Sequence, residues 1–225
     1  MTGPELVRTG FRDECARLVE VLRDLTENDL DRPTDCRPWD VRGLLGHVRT
    51  GVGRLADMLA APAPPHAEVD AAGYFGAAKF TPPVDAARID GGRREGRQLS
   101  AAALADDVDR VWRATLHAVD TQPAGRVVRT RHGDAMTVVE FLRTRVVEVG
   151  VHGLDLAAAL DRPPWLTPAA ATVVADLLTG GRPVPPGLGW DRLTLVRKAT
   201  GRAPLTPAER ATADAAGFRW LSFAP

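Results

Sequence analysis

Residues 137–160 read TVVEFLRTRVVEVGVHGLDLAAAL, and the way this stretch folds decides what the rest of the chain must build around it. Thr137 and Glu140 have the spacing of a capping box, so a helix is expected to start there; Pro163 and Pro164 are expected to stop it. At ~100° per residue, Val138, Leu142, Val146, Val149, Leu156 and Leu160 share one apolar face. Arg145, Glu148, His152 and Asp155 form a second stripe directly beside it. Ionisable groups on the shoulder of a buried face are costly unless they are paired or bind a metal. Glu148 and His152 stand four apart, so both side chains can close on one ion from the same side of the helix.

The preceding chain supplies partners for that helix. Residues Glu5 to Glu27 read as an amphipathic helix with Phe11, Leu18, Val21, Leu22 and Leu25 inward. Asn28 to Pro38 is polar and punctuated by proline, a loop. Asp40 then has the character of an N-cap for a second helix to about Ala61, with the stripe Val41, Leu44, Leu45, Val48, Val52, Leu55 and Leu59. His47 stands at the edge of that stripe. Gly43, Gly46 and Gly51 each cost a helix ~1 kcal/mol relative to alanine, so close packing or ligand access is expected to justify some of them. Pro62 to Gln98 is rich in Pro, Ala, Gly and Arg, with Tyr74, Phe75 and Phe80 as apolar anchors. A connection that long suits a lid or a crossover between bundle helices. Ser100 caps a third helix to about Val119 through Leu104, Val108, Val111, Trp112 and Leu116, and Gly125 to Met136 reads as a short extended piece and a turn.

Beyond Pro164 the pattern changes. Thr167-Pro168 opens a short helix to about Thr179, RLTLVRKATG (192–201) reads as a strand and turn, Thr206-Pro207-Ala208-Glu209 starts a helix, and Phe218 to Phe223 is apolar enough for a closing strand. The expected fold class is therefore mainly α: residues 1–164 form a four-helix bundle with a long helix 2–helix 3 crossover, and residues 165–225 a small α+β C-terminal annex packed on it.

The chain has 225 residues, enough for a full core, and equal numbers of basic and acidic residues, 29 each. No basic footprint favours nucleic acid or an anionic membrane, and no window reaches the ~18 apolar residues of a membrane span. The N-terminus lacks the apolar core of a signal peptide, so a cytoplasmic protein is expected, as monomer or homodimer. Cys15 and Cys36 give neither a disulfide framework nor a metal knuckle. Cys36 precedes a helix start, where a thiol can be activated, but a buried, inert thiol is the better reading.

Catalytic zinc commonly takes three protein ligands and leaves a fourth position open. With Glu148 and His152 as two, a third must come from elsewhere. His66 and His132 fall in expected loops and His117 near a helix end; His47 alone is mid-helix beside an apolar face. The spacing is also met by groups that bind nothing. Glu148 can pair with Arg145, His152 can be a hydrogen-bonded helix histidine, and Asp155 can either orient His152 or be solvated. Arg145 can neutralise Glu148 or hold an anionic substrate.

Trp39-Asp-Val-Arg-Gly-Leu-Leu-Gly-His47-Val, followed by Arg145-x-x-Glu148-x-x-x-His152-x-x-Asp155-Leu, resembles the maleylpyruvate isomerase-type mycothiol-dependent enzymes of the DinB/YfiT-like metal-binding bundles. The order of elements agrees over about residues 5 to 160, and the tail resembles the family less specifically. The resemblance implies a DinB-like bundle, His47, Glu148 and His152 as ligands of one divalent ion, most often Zn2+, and mycothiol as co-substrate. The wider DinB group often uses three histidines; here Glu148 takes the middle place. The family also relies on a C-terminal arginine, for which Arg182, Arg197 and Arg202 are unranked candidates.

The function so implied is a metal- and mycothiol-dependent enzyme in which a metal-bound thiolate adds to a small electrophile. Retaining the thiol gives S-transfer, and expelling it after bond rotation gives isomerisation. A thiol-independent hydrolase or lyase using metal-bound water, and a non-catalytic metal-stabilised bundle that binds a small molecule, remain open. Mixed N/O ligands also suit nickel, manganese or iron.

Overall fold

The computed structural model describes residues 3–76, 86, 89–94, 99–123 and 125–220. Its elements are α1 (Gly3–Arg23), α2 (Glu27–Leu30), α3 (Val41–Ala60), α4 (Ala71–Tyr74), α5 (Ala101–Asp120), β1 (Val127–Arg129), β2 (Ala135–Thr137), α6 (Val138–Ala159), α7 (Pro168–Thr179), α8 (Arg192–Ala199) and α9 (Pro207–Ala215). The fold is mainly helical. Helices α1, α3, α5 and α6 make the bundle: α1 and α3 each pack against both α5 and α6.

Local chemistry sets most helix starts. Asp40, Ser100 and Thr137 each accept the backbone N–H three residues on, which satisfies an otherwise orphaned donor of the first turn. The apolar stripes read from the sequence point inward, and Phe11, Leu44, Leu45, Leu104, Leu142 and Leu156 are fully buried. Helix α6 is buried nearly all round, because α1, α3 and α7 all pack on it.

Several expectations are corrected. The capping box at Thr137 is only half formed: Glu140 turns its carboxylate to the Ala71 backbone N–H at 2.9 Å, tying α4 of the crossover to the start of α6. Helix α6 ends at Ala159 with Leu160 as its cap, and the chain turns at Asp161 with φ 53°, before the prolines are reached. The first helix stops at Arg23, and α2 begins anew on its own Thr26–Asp29 capping box. The segment RLTLVRKA is helix α8, not a strand. Its Thr and Val content favours a strand locally, but Asp191 caps the Thr194 N–H at 2.7 Å, and Leu195, Val196 and Ala199 bury on a helical spacing. Residues 218–220 form no strand, and 221–223 lie outside the described residues. Among the described residues the annex is therefore helical. The strands pair as an antiparallel hairpin, β1 with β2, between α5 and α6.

The crossover runs along that hairpin, with the Glu68 and Val69 N–H groups both donating to the Ala135 carbonyl. Tyr74 and Phe75 are buried anchors, and Phe80 lies outside the described residues. Helix α7 packs on α1 and α6, and α8 packs on α7, so Val174, Leu178, Leu195 and Val196 join the same apolar core as the bundle.

Candidate metal centre

Gly51 of α3 faces α6 at Arg145, and the bundle brings the polar stripe of α6 against α3 at His47. The His47 Nε2 and Glu148 Oε1 atoms are 2.8 Å apart, and His152 Nε2 is 3.9 Å from the same oxygen. The His47 and His152 rings lie edge to face at 5.3 Å. Two ligand atoms each ~2.1 Å from a tetrahedral ion stand ~3.4 Å apart, so these separations bracket what one cation needs. The donor set, two imidazoles and a carboxylate, suits Zn2+ and several other divalent ions. Of the remaining histidines, His66 and His117 are exposed, and His132 packs its ring against Tyr74 at 5.4 Å.

Glu148 is held as an anion. Burial alone would raise its pKa, but the Arg145 guanidinium at 3.7 Å, the His47 hydrogen bond and the nearby His152 hold it well below the ordinary carboxylate range. Arg145 is itself only 3% exposed. It donates to Thr144 Oγ1 at 3.1 Å, reaches the Tyr74 hydroxyl at 3.4 Å, and lies over the Phe141 ring at 4.8 Å. That places it as the buried counter-charge of Glu148. Gly51 explains how it fits: a Cβ there would stand 2.9 Å from Arg145 Nη1.

His47 stacks on Trp39, with ring centroids 4.6 Å apart. Trp39 in turn donates to the Ile89 carbonyl at 3.2 Å, and Gly92 passes so close that a Cβ would meet the Gly43 carbonyl at 2.8 Å and His47 Cβ at 3.2 Å. The crossover thus covers His47 with backbone, which only glycine permits at that distance.

On the other side of His152, Nδ1 lies 2.9 Å from Asp155 Oδ2. The Asp155 carboxylate also takes a fork from Arg202, Nε to Oδ1 and Nη2 to Oδ2, both at 2.9 Å, and the Cys36 thiol donates to Oδ2 at 3.0 Å. Burial opposes ionisation of Asp155, but the His152 and Arg202 hydrogen bonds outweigh it and hold its pKa far below normal. Burial and the Asp155 charge push the Cys36 thiol up to about 12, so it is a neutral donor. Cys36, His152 and Asp155 also have the spacing of a metal cluster. Arg202 already occupies both Asp155 oxygens, so these residues act as a hydrogen-bonded group.

The sequence did not single out Cys36 as a neighbour of His152, nor rank Arg202 above Arg182 and Arg197. No local signal could have done so, because both contacts span well over forty positions. Arg182 instead donates to the Ala216 carbonyl at 2.9 Å. Arg197 lines a cavity of about 670 Å³ with Arg162, Arg202, Asp35, Cys36 and Asp155, between the end of α6 and the turn after α8. No helix among the described residues is long and apolar enough to cross a membrane.

Two solved structures share this architecture. A mycothiol-dependent maleylpyruvate isomerase and a histidine-to-alanine mutant of a protein so described align with TM-scores of 0.53 and 0.54, at 15% and 16% identity. Each alignment covers 80% of this chain and 70% of the other. No curated protein sequence matches. The family described as mycothiol maleylpyruvate isomerase N-terminal domain matches residues 11–157, which run from within α1 to near the end of α6 and include His47, Glu148 and His152, and the chain belongs to that family.

Proposed function

We propose that the protein is a metal-assisted, mycothiol-dependent enzyme that adds the thiol sulfur to a small electrophile. The observation that carries this reading is the meeting of His47, Glu148 and His152, from two helices remote in sequence, with one ligand atom of each within 4.8 Å of the others. His47, Glu148 and His152 would hold the ion, most readily Zn2+. Bound there, it would supply a Lewis-acid position that lowers the pKa of a thiol.

The chain's own groups do the rest. Glu148 stays charged because Arg145 compensates it in the interior. Asp155 accepts from His152 Nδ1, which directs the Nε2 lone pair toward Glu148 and His47. Trp39 and the backbone at Gly92 shield His47 from water. Neither cysteine is a ready nucleophile: burial pushes Cys15 well above the ordinary thiol range, and Cys36 reaches about 12. An external thiol is therefore the fitting nucleophile, in keeping with the thiol named for the structural relatives. In the proposed reaction the sulfur forms a bond to carbon as a carbon–carbon double bond opens. Rotation and expulsion of the thiolate return the isomer with the thiol unchanged; retention with proton uptake at the neighbouring carbon gives the S-conjugate.

The test is turnover of maleylpyruvate by the metal-loaded protein with mycothiol, with glutathione, or with no thiol. Activity confined to mycothiol, and lost together with bound metal in His47→Ala and His152→Ala, is the expected result. Alanine variants that keep both metal and thiol-dependent turnover would overturn the reading. Equal turnover without thiol would instead indicate hydrolysis by metal-bound water.

A further inference from the structure

Arg54 is a cation that the metal centre leaves unexplained. On α3 it follows His47 by seven positions and Gly51 by three, so the three residues share the face turned toward α6. His47 meets Glu148 there, Gly51 meets Arg145, and Arg54 comes next along the same face. The side chains beyond Glu148 form a continuous row. Arg145 runs from Glu148 Oε2 at 3.7 Å to the Tyr74 hydroxyl at 3.4 Å, the Tyr74 ring packs on His132 at 5.4 Å, and His132 Nε2 is 3.2 Å from Arg131 Nε.

Arg54 is half-buried, and among the described residues it has neither an ion pair nor a hydrogen bond. Asp57, three positions on, is exposed and makes no ion pair with it. The ionisable groups that act on Arg54 are Arg131, Tyr74, Arg145 and Glu148, and burial together with the two arginines lowers its pKa. A guanidinium does not give up its proton in a protein, so the positive charge stays. Three guanidiniums thus face one carboxylate, and Glu148 is already engaged by His47 and Arg145. The neighbouring groove shows the contrast. Between α3 and α5, around a cavity of about 530 Å³ that Arg54 also borders, Arg49 and Arg110 share Asp107. Tyr74 accepts from Arg145, which leaves its own hydroxyl hydrogen to give. A half-buried excess of positive charge with a hydroxyl donor beside it is a site for an anion.

We propose that Arg54, with Arg131 and the Tyr74 hydroxyl, binds a carboxylate of the electrophile and so holds its unsaturated carbon toward the thiol sulfur. Seven residues of helix separate Arg54 from His47 by ~10 Å along the axis, a span that a short-chain acid and a long arginine side chain close together. A neutral electrophile of the same shape gains nothing from the cluster, so the site selects acids by their charge. This inference rests on the reading of His47, Glu148 and His152 as the reacting centre, and the residues it assigns hold no metal.

Succinate, an unreactive short-chain diacid, tests it by calorimetric titration of the protein as purified. Wild type is expected to bind succinate and not the neutral succinamide. Arg54→Gln should weaken succinate binding ~10–100-fold, the loss of one charge-assisted pair, with Arg54→Lys between the two. The exposed Arg12→Gln, on α1, should keep the wild-type value. Urea unfolding without ligand separates binding from support: Arg54→Gln relieves repulsion and should be at least as stable as wild type. In turnover, Arg54→Gln should raise the KM for maleylpyruvate more than it lowers kcat. No succinate binding by wild type, wild-type affinity in Arg54→Gln, or phosphate bound as tightly as succinate would overturn the proposal. A destabilised Arg54→Gln would overturn it too, since the arginine would then be structural. Succinate binding that is lost with Arg54, in a protein without thiol-dependent turnover, would uphold this inference and sink the reaction. Turnover with an unchanged KM in Arg54→Gln would do the reverse.

Discussion

His47 on α3 and Glu148 on α6 are 101 positions apart and share a hydrogen bond of 2.8 Å, with the Arg145 guanidinium on the far side of the same carboxylate. Glu148 is therefore already engaged on both sides, by His47 across the bundle and by the Arg145 guanidinium from the interior, and under the proposed reading it would hold the ion as well.

Glu148→Gln should expose that double duty. It keeps the shape and the hydrogen bond to His47 but leaves Arg145 buried without its counter-charge, which is expected to cost ~3–5 kcal/mol in the metal-free protein. His47→Gln, which strands no charge, should cost clearly less. Urea unfolding of the two metal-free variants makes the comparison, and equal losses would mean that Arg145 does not depend on Glu148.

Gly51→Ala should destabilise the protein although helix propensity favours alanine by ~1 kcal/mol. A guanidinium end can usually swing away from a new methyl group. Arg145 cannot do so freely, since it is buried against Phe141 and held by Thr144 and Tyr74. Overpacking of this kind costs ~1–3 kcal/mol, and thermal unfolding would reveal the sign. A gain in stability would show that Arg145 has a second comfortable position.

Glu14 predicts a pH dependence on the opposite face of the bundle. Its Oε2 accepts from the Thr167 N–H and hydroxyl at 2.8 and 2.7 Å, which docks the start of α7 on α1 and leaves α7 without a side-chain cap. Burial raises its pKa despite those hydrogen bonds. A carboxyl raised on folding stabilises the protein fully below the ordinary carboxylate range, and that contribution is lost as pH rises through the folded-state value. Glu14→Gln keeps an oxygen for Thr167 and does not titrate. Its stability relative to wild type should improve from ~pH 4 upward, measured by urea midpoints across pH. A flat difference would mean that Glu14 is unperturbed.

Neither cysteine should react in the folded protein. Cys15 is buried in α1, and Cys36 is a neutral thiol bonded to Asp155. Labelling with a disulfide reagent should proceed only at the rate of unfolding, and rapid modification of Cys36 would contradict the hydrogen-bonded arrangement.

The sequence by itself determined where the bundle helices begin and which faces they bury. Asp40, Ser100 and Thr137 act within one turn, and apolar periodicity is a property of each helix alone. It also placed Glu148, His152 and Asp155 on one stripe, because residues three and four apart are neighbours on any helix. It misread RLTLVRKA, where β-branched side chains pointed to a strand while the cap at Asp191 and burial against α7 decided for a helix. What only the tertiary structure decided is the company those side chains keep. That His47 meets Glu148, and that Arg202 reaches Asp155 while Arg182 goes to Ala216, depends on how helix axes are spaced and rotated and on where the chain turns at Gly201. Those distances arise from packing the whole core, and no window of sequence contains them.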